Sequence, residues 1–221
     1  MQSTFKVNNM NKHQAQIDSI REIRTLMERS TKFLSLSGLA GVFVGILAII
    51  GVIIAYLLLD MDINQSSYYL LVSKNNGLLN GDVYSFILAD FTLILLFALL
   101  IGIYFSKKKA NKQNLAAWDS TAKRLLLNLA IPLITGGFFC LILLFHNNIG
   151  LVIPATLIFY GLALVNASKY TINDIRYLGL LEIGIGLFAA FFIDFGLLFW
   201  AFGFGVLHIV YGIAIYFKYE K

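Results

Sequence analysis

Apolar residues along this chain gather into six long runs, 33–59, 83–105, 125–145, 149–165, 175–193 and 195–217, divided by short polar stretches. A helix needs about 20 residues to cross roughly 30 Å of hydrocarbon, and the runs cluster around that length. The pattern predicts an all-α polytopic membrane protein with six transmembrane helices arranged as three hairpins. Ahead of them, residues 1–32 are polar, which predicts a tail without a cleavable signal peptide. No Gly or Pro interrupts Lys12 to Lys32, and Ile17, Ile20, Ile23 and Met27 fall on one face. Arg24–Glu28 and Glu28–Lys32 are spaced as helical charge pairs. An N-terminal amphipathic helix lying along the membrane surface follows, with a helix that pairs with a protein partner as the alternative. Residues 218–221 form a short second tail.

The runs differ in their interruptions. The first opens with Ser37, Gly41 and Gly45 at every fourth position, a small-residue stripe that admits a close helix neighbour, within the chain or from a second copy. The second carries Asp90. The third contains Asn128, Pro132, Thr135, Gly136 and Gly137. Pro132 lacks a backbone donor and releases the Asn128 carbonyl, so a helix kink is expected around Pro132, Gly136 and Gly137. Residues 60–82, with Asp60, Asp62, Lys74 and Asp82, form the largest polar loop between spans.

Charge orients the array. Of 17 Lys and Arg, six lie in the N-terminal tail, six after the second run, two after the fourth and two at the C-terminus, which leaves Lys74 alone on the other side. By the positive-inside rule both termini are cytoplasmic, in a multi-pass protein of the inner (plasma) membrane. The excess of positive charge thus points to anionic lipid headgroups on the cytoplasmic side, contacted by Lys107, Lys108, Lys109 and Lys112, and not to nucleic acid. With 59% hydrophobic and 13% charged residues, the composition excludes an ordinary soluble domain. The single cysteine, Cys140, excludes an intrachain disulfide and a cysteine-based metal site.

Signatures of soluble enzymes are missing. Gly184-Ile185-Gly186-Leu187-Phe188-Ala189 fits a relaxed dinucleotide fingerprint, but it lies inside an apolar run instead of between a strand and a helix. The three histidines, His13, His146 and His208, fall at different depths, so no metal cluster and no cofactor is expected. What remains is an intramembrane polar set: Asp90, Glu182 and His208. Glu182 stands 12 residues before Asp194 and His208 14 after it, so a tight turn at Asp194 brings them to one depth. Gly179, Glu182 and Gly186 share one stripe, and Ala201, Gly205, His208 and Gly212 another. Two such stripes facing each other would place Glu182 against His208. Ionisable groups at that depth mark either a proton- or ion-responsive site or an interhelical hydrogen bond that fixes the hairpin.

Tyr160-Gly161-Leu162-Ala163 and Tyr211-Gly212-Ile213-Ala214 end the fourth and sixth runs, 51 residues apart, and outline a parallel hairpin repeat. These Gly-rich hairpins resemble the small six-span membrane proteins typified by the acid-resistance protein HdeD. Thr25-Leu26-Met27-Glu28-Arg29-Ser30 and Tyr177-Leu178-Gly179-Leu180-Leu181-Glu182 resemble an uncharacterised family of bacterial inner-membrane proteins. Neither resemblance brings a catalytic residue. Three roles stay open: a non-enzymatic regulatory, stress-response or scaffold protein, a small proton- or ion-coupled transporter or channel using Asp90, Glu182 and His208, and, last, a membrane-embedded enzyme. The lipid bilayer is the first partner, with a second copy or another membrane protein beside it.

Overall fold

A computed structural model describes residues 36–58, 81–112 and 120–221, and every element among them is helical. The N-terminal segment, the 60–80 loop and Trp118 lie outside the described residues, and with them the surface helix expected over residues 12–32. The helices are α1 (Gly38–Leu58), α2 (Gly81–Lys112), α3 (Ser120–Phe145), α4 (Val152–Ala167) and α5 (Asp174–Phe191). The last, α6 (residues 196–219), is built of three pieces: α-helical Gly196–Trp200, π-helical Ala201–Leu207 and α-helical His208–Tyr219. Five of these segments, with α4 and α6 taken together with their flanking 3-10 turns as Ile149–Tyr170 and Ile193–Tyr219, are long and apolar enough to cross a membrane. The remaining one, α5, has 18 residues and carries Asp174, Arg176 and Glu182. The described helices are those of a multi-pass membrane protein.

Side-chain ties show how the ends align. At one end, which we call the basic end, Lys109 near the close of α2 donates to the Leu36 carbonyl before α1 (2.6 Å) and pairs with Glu220 beyond α6 (3.4 Å). Glu220 also accepts from the Gly38 backbone N–H and from Ser37 Oγ, so a carboxylate caps the positive end of the α1 dipole. Asp174, in the first turn of α5, accepts from Lys218 and from the Tyr219 hydroxyl (2.7 Å) at the end of α6. Asn166 at the end of α4 donates to the Asn128 carbonyl near the start of α3 (2.9 Å). The helices therefore alternate in direction. At the opposite end the α3–α4 turn, with Asn147 left-handed (φ 57°), meets the α5–α6 turn where Gly150 packs on Ile193.

Packing departs from a set of three closed hairpins. The closest pairing is α4 with α5, and α6 lies along α1, whereas α5 and α6 touch at few points although only the 192–195 turn joins them. Glycine decides this. A Cβ added at Gly161 would sit 2.5 Å from the Gly179 carbonyl oxygen, and one at Gly186 would lie 2.9 Å from the Ile158 nitrogen. Likewise Gly45 closes on the Gly205 carbonyl (2.6 Å), and Gly212 on Gly38 and Val42. Two backbones approach this closely only where at least one of them bears no side chain at the contact. The small-residue stripes of α5 and α6 thus serve α4 and α1; they do not face each other, as the sequence suggested. The Gly41–Gly45 stripe is spent inside the chain. α2 and α3 stand at the edges, with broad exposed rows of Leu, Ile and Phe for lipid.

Pro132 does not interrupt α3, which runs unbroken through it. The carbonyl it releases, that of Asn128, is the one Asn166 satisfies. Gly136 seats Phe159 of α4, while Gly137 faces open space.

Candidate functional site

Two apolar clusters fill the bundle. One, toward the far end, joins Ala48, Val52, Ile94, Ile153, Leu157, Leu197 and Trp200; the other, toward the basic end, joins Leu164, Ile172, Leu178, Leu207 and Ile215. Each of the central helices crosses from one cluster to the other at a polar residue: Tyr160 on α4, Glu182 on α5 and His208 on α6. These three meet. Glu182 is 0% exposed and His208 6% exposed.

Their geometry sets a definite proton arrangement. His208 Nδ1 lies 3.0 Å from the Gly203 carbonyl, which only accepts, so Nδ1 carries a hydrogen and donates. Nε2 lies 2.7 Å from the Tyr160 hydroxyl, and in a neutral ring it accepts that proton. Both ring nitrogens are therefore occupied. Glu182 Oε1 stands 3.5 Å from Nδ1, and neither of its oxygens has a hydrogen-bond partner among the described residues. This is contact without a proper hydrogen bond. No family model, curated protein or solved structure matches the chain. The site must be read from its own chemistry.

Gly203 makes the cluster. A Cβ there would lie 2.5 Å from Glu182 Oε2 and 2.7 Å from Leu157 Cδ2, so only glycine leaves the carboxyl its place. Gly203 belongs to the π-helical stretch Ala201-Phe-Gly-Phe-Gly-Val-Leu, whose wider turn immediately precedes His208. Single π turns inside α-helices recur at functional sites. Sequence reading overlooked the π turn and Gly203, and it noticed Tyr160 only as part of a repeat. The signal for Tyr160 was present: it stands 11 residues before Thr171, and Glu182 stands 11 after, so the α4–α5 turn puts them level.

Asp90 does not join this cluster. Its Oδ2 is buried against α1, where a Cβ at Gly51 would come within 3.4 Å, and it too has no hydrogen-bond partner among the described residues. The connection from its neighbourhood is aromatic. Phe91 stacks on Trp200 (4.9 Å), Trp200 packs on Phe204 (4.8 Å), and Phe204 touches both Tyr160 (4.8 Å) and His208 (5.9 Å).

Among the lysines expected at headgroups, Lys107, Lys108 and Lys112 are exposed. Lys109 is a correction: it is buried and engaged by Glu220 and Leu36, because it sits where α1, α2 and α6 converge. No group of three metal-ligating side chains occurs among the described residues.

Proposed function

We propose that the chain is a non-enzymatic, proton-responsive protein of the bacterial inner membrane, with both termini cytoplasmic and Glu182, His208 and Tyr160 as the responsive group. The orientation rests on the distribution of Lys and Arg. One observation carries the rest: a fully buried carboxyl beside a histidine whose two nitrogens are engaged elsewhere. A pair evolved only to pin α5 to α6 gains by completing its hydrogen bond. Leaving both carboxyl oxygens unpaired costs stability instead, about 1–3 kcal/mol for a buried polar group. Buried ionisable groups inside membranes are functional by default.

Proton movement has a concrete consequence here. A second proton on His208 turns Nε2 from acceptor to donor, so the Tyr160 hydroxyl must reverse and accept. The resulting imidazolium faces the Glu182 carboxylate. Uptake of a proton at Nε2, the only ring nitrogen free to take one, with Glu182 ionised beside the ring, therefore re-aims Tyr160 on α4 and strengthens the Nδ1–H donation to Gly203 in the π turn. The titratable group that faces the Glu182–His208 pair is Tyr160 from α4. α1 presents only glycines and apolar residues along Gly41–Gly45, and Asp90 of α2 lies beyond the aromatic chain.

Trp200 reports on this site through Phe204. In a Trp118→Phe background reconstituted in vesicles, Trp200 fluorescence is expected to change with pH in the parent protein, and the change is expected to vanish in Glu182→Gln and His208→Gln. Identical pH profiles in all three proteins would sink the reading. Proton flux into the same vesicles, abolished by Glu182→Gln, would favour the coupled-transport role over the regulatory one.

A further inference from the structure

A cavity of about 430 Å³ lies between the edge helix α3 and α4, lined by Pro132, Thr135, Phe159, Leu162, Val165 and Asn166, with Lys169 at its mouth. Leu162 and Thr135 are exposed, so the groove opens toward lipid. Its polar groups are already engaged inside the protein: the Thr135 hydroxyl donates to Ile131 and the Asn166 amide to Asn128. The walls are thus apolar in effect. The length is informative. From Lys169 to Phe159 is ten residues, about 15 Å of helix. That equals one leaflet, half of the roughly 30 Å hydrocarbon core. At the basic end the lining of the groove closes on a cation, Lys169. Lys169 is exposed, and Arg124 is exposed one helical turn before Asn128 on the same face of α3.

We propose that this groove is a binding site for an anionic phospholipid, with one acyl chain along Pro132, Phe159 and Leu162 and the phosphate held by Lys169 with Arg124. Several features built into the chain keep the groove open. Pro132 presents its ring in place of a longer side chain, and Asn166 reaches across to satisfy the carbonyl that Pro132 frees. Gly136 draws Phe159 inward, since a Cβ there would collide with the ring. Leaflet depth, apolar walls and charge of one sign at one end match a lipid with a negative headgroup better than a peptide or a second copy of the chain.

Native mass spectrometry of the full chain, released from nanodiscs of equal phosphatidylglycerol and phosphatidylcholine, tests the assignment. The parent protein is expected to retain one phosphatidylglycerol preferentially. Lys169→Gln is expected to lower that preference about fivefold, the effect of one cation near a charged membrane surface. Leu162→Trp, which fills the groove, is expected to remove retention, and Lys221→Gln, exposed at the C-terminus beyond α6, to leave it unchanged. Lys169 is exposed, so its substitution spares the fold and carries the test even if the Trp variant does not assemble. Equal retention of both lipids by the parent, an unchanged preference in Lys169→Gln, or a dimer that phosphatidylglycerol does not displace would overturn the proposal.

Discussion

The α4–α5 and α5–α6 pairs both join consecutive helices through short turns, yet they are held in opposite ways. α4 and α5 meet backbone to backbone at Gly161, Gly179 and Gly186, with Ile158, Val165 and Ile183 packed beside the contact. α5 and α6 meet sparsely, through the Glu182–His208 contact in mid-span and the Asp174–Lys218–Tyr219 tie at the basic end. The α1–α6 seam repeats the first kind, and the Lys109–Glu220 tie of α2 the second. Gly161 and Gly212, equivalent in the repeat, each close a seam, while of the two tyrosines beside them only Tyr160 reaches His208. Seams made of backbone have no slack. Ties made of side chains can rearrange, and the titratable cluster lies at a tie.

Substitutions can break this distinction in order of expected effect. Gly161→Leu should be the most damaging, at or above the usual range of about 1–3 kcal/mol for overpacking, because the obstructing atoms are the backbone of Gly179 and Ile183. Gly184→Ala, on the same helix as Gly179 but with nothing within 4 Å of an added Cβ, should change thermal unfolding little. Equal melting temperatures for the two would mean that the seam is not rigid.

Lys109→Ala comes next. It removes a buried donor but leaves Glu220 its contacts with Gly38 and Ser37, so a loss of about 1–3 kcal/mol is expected. Lys108→Ala, exposed one residue earlier, should fall within about 0.5 kcal/mol of the parent. Detergent-solubilised melting curves measure both.

Gly203→Ala sharpens the contrast. Its Cβ meets the tip of Glu182 and a Leu157 methyl, groups that can move, so stability should fall less than for Gly161→Leu. The pH-dependent Trp200 signal should nevertheless shift, since Glu182 is displaced from His208. Unaltered pH behaviour would mean that the contact has no bearing on it.

The smallest effect belongs to Asp174. Partial burial pushes its carboxyl up, but hydrogen bonds from Tyr219 and Lys218, with the lysine's charge, outweigh burial and hold it below the ordinary value of 3.8. A depressed folded-state value stabilises above 3.8 and is lost as pH falls through the lowered value. Asp174→Asn should therefore melt slightly below the parent at neutral pH, and the gap should close in acid below 3.8. A constant gap across that range would show that charge is not what the tie contributes.

Much of this architecture was legible before any coordinates. Hydrophobic run length located the helices, five of them long and apolar enough to cross a membrane, because a bilayer of set thickness demands a set number of helical residues. Depth was legible too: counting from the Asp194 turn placed Glu182 level with His208, and counting from Thr171 would have added Tyr160. Pro132 named the carbonyl that would need a partner. Rotation about the helix axes was not legible. A glycine stripe states that some helix comes close without stating which, so Gly179 and Gly205 were assigned to each other when they belong to α4 and α1. The π turn of Ala201–Leu207, the place made for Glu182 by Gly203, and the burial of Lys109 beside three lysines with open surroundings depend on the same choice of neighbours. Position along the membrane normal follows from local chain length and transfer energy, whereas facing within the membrane plane is decided only when all the helices pack at once.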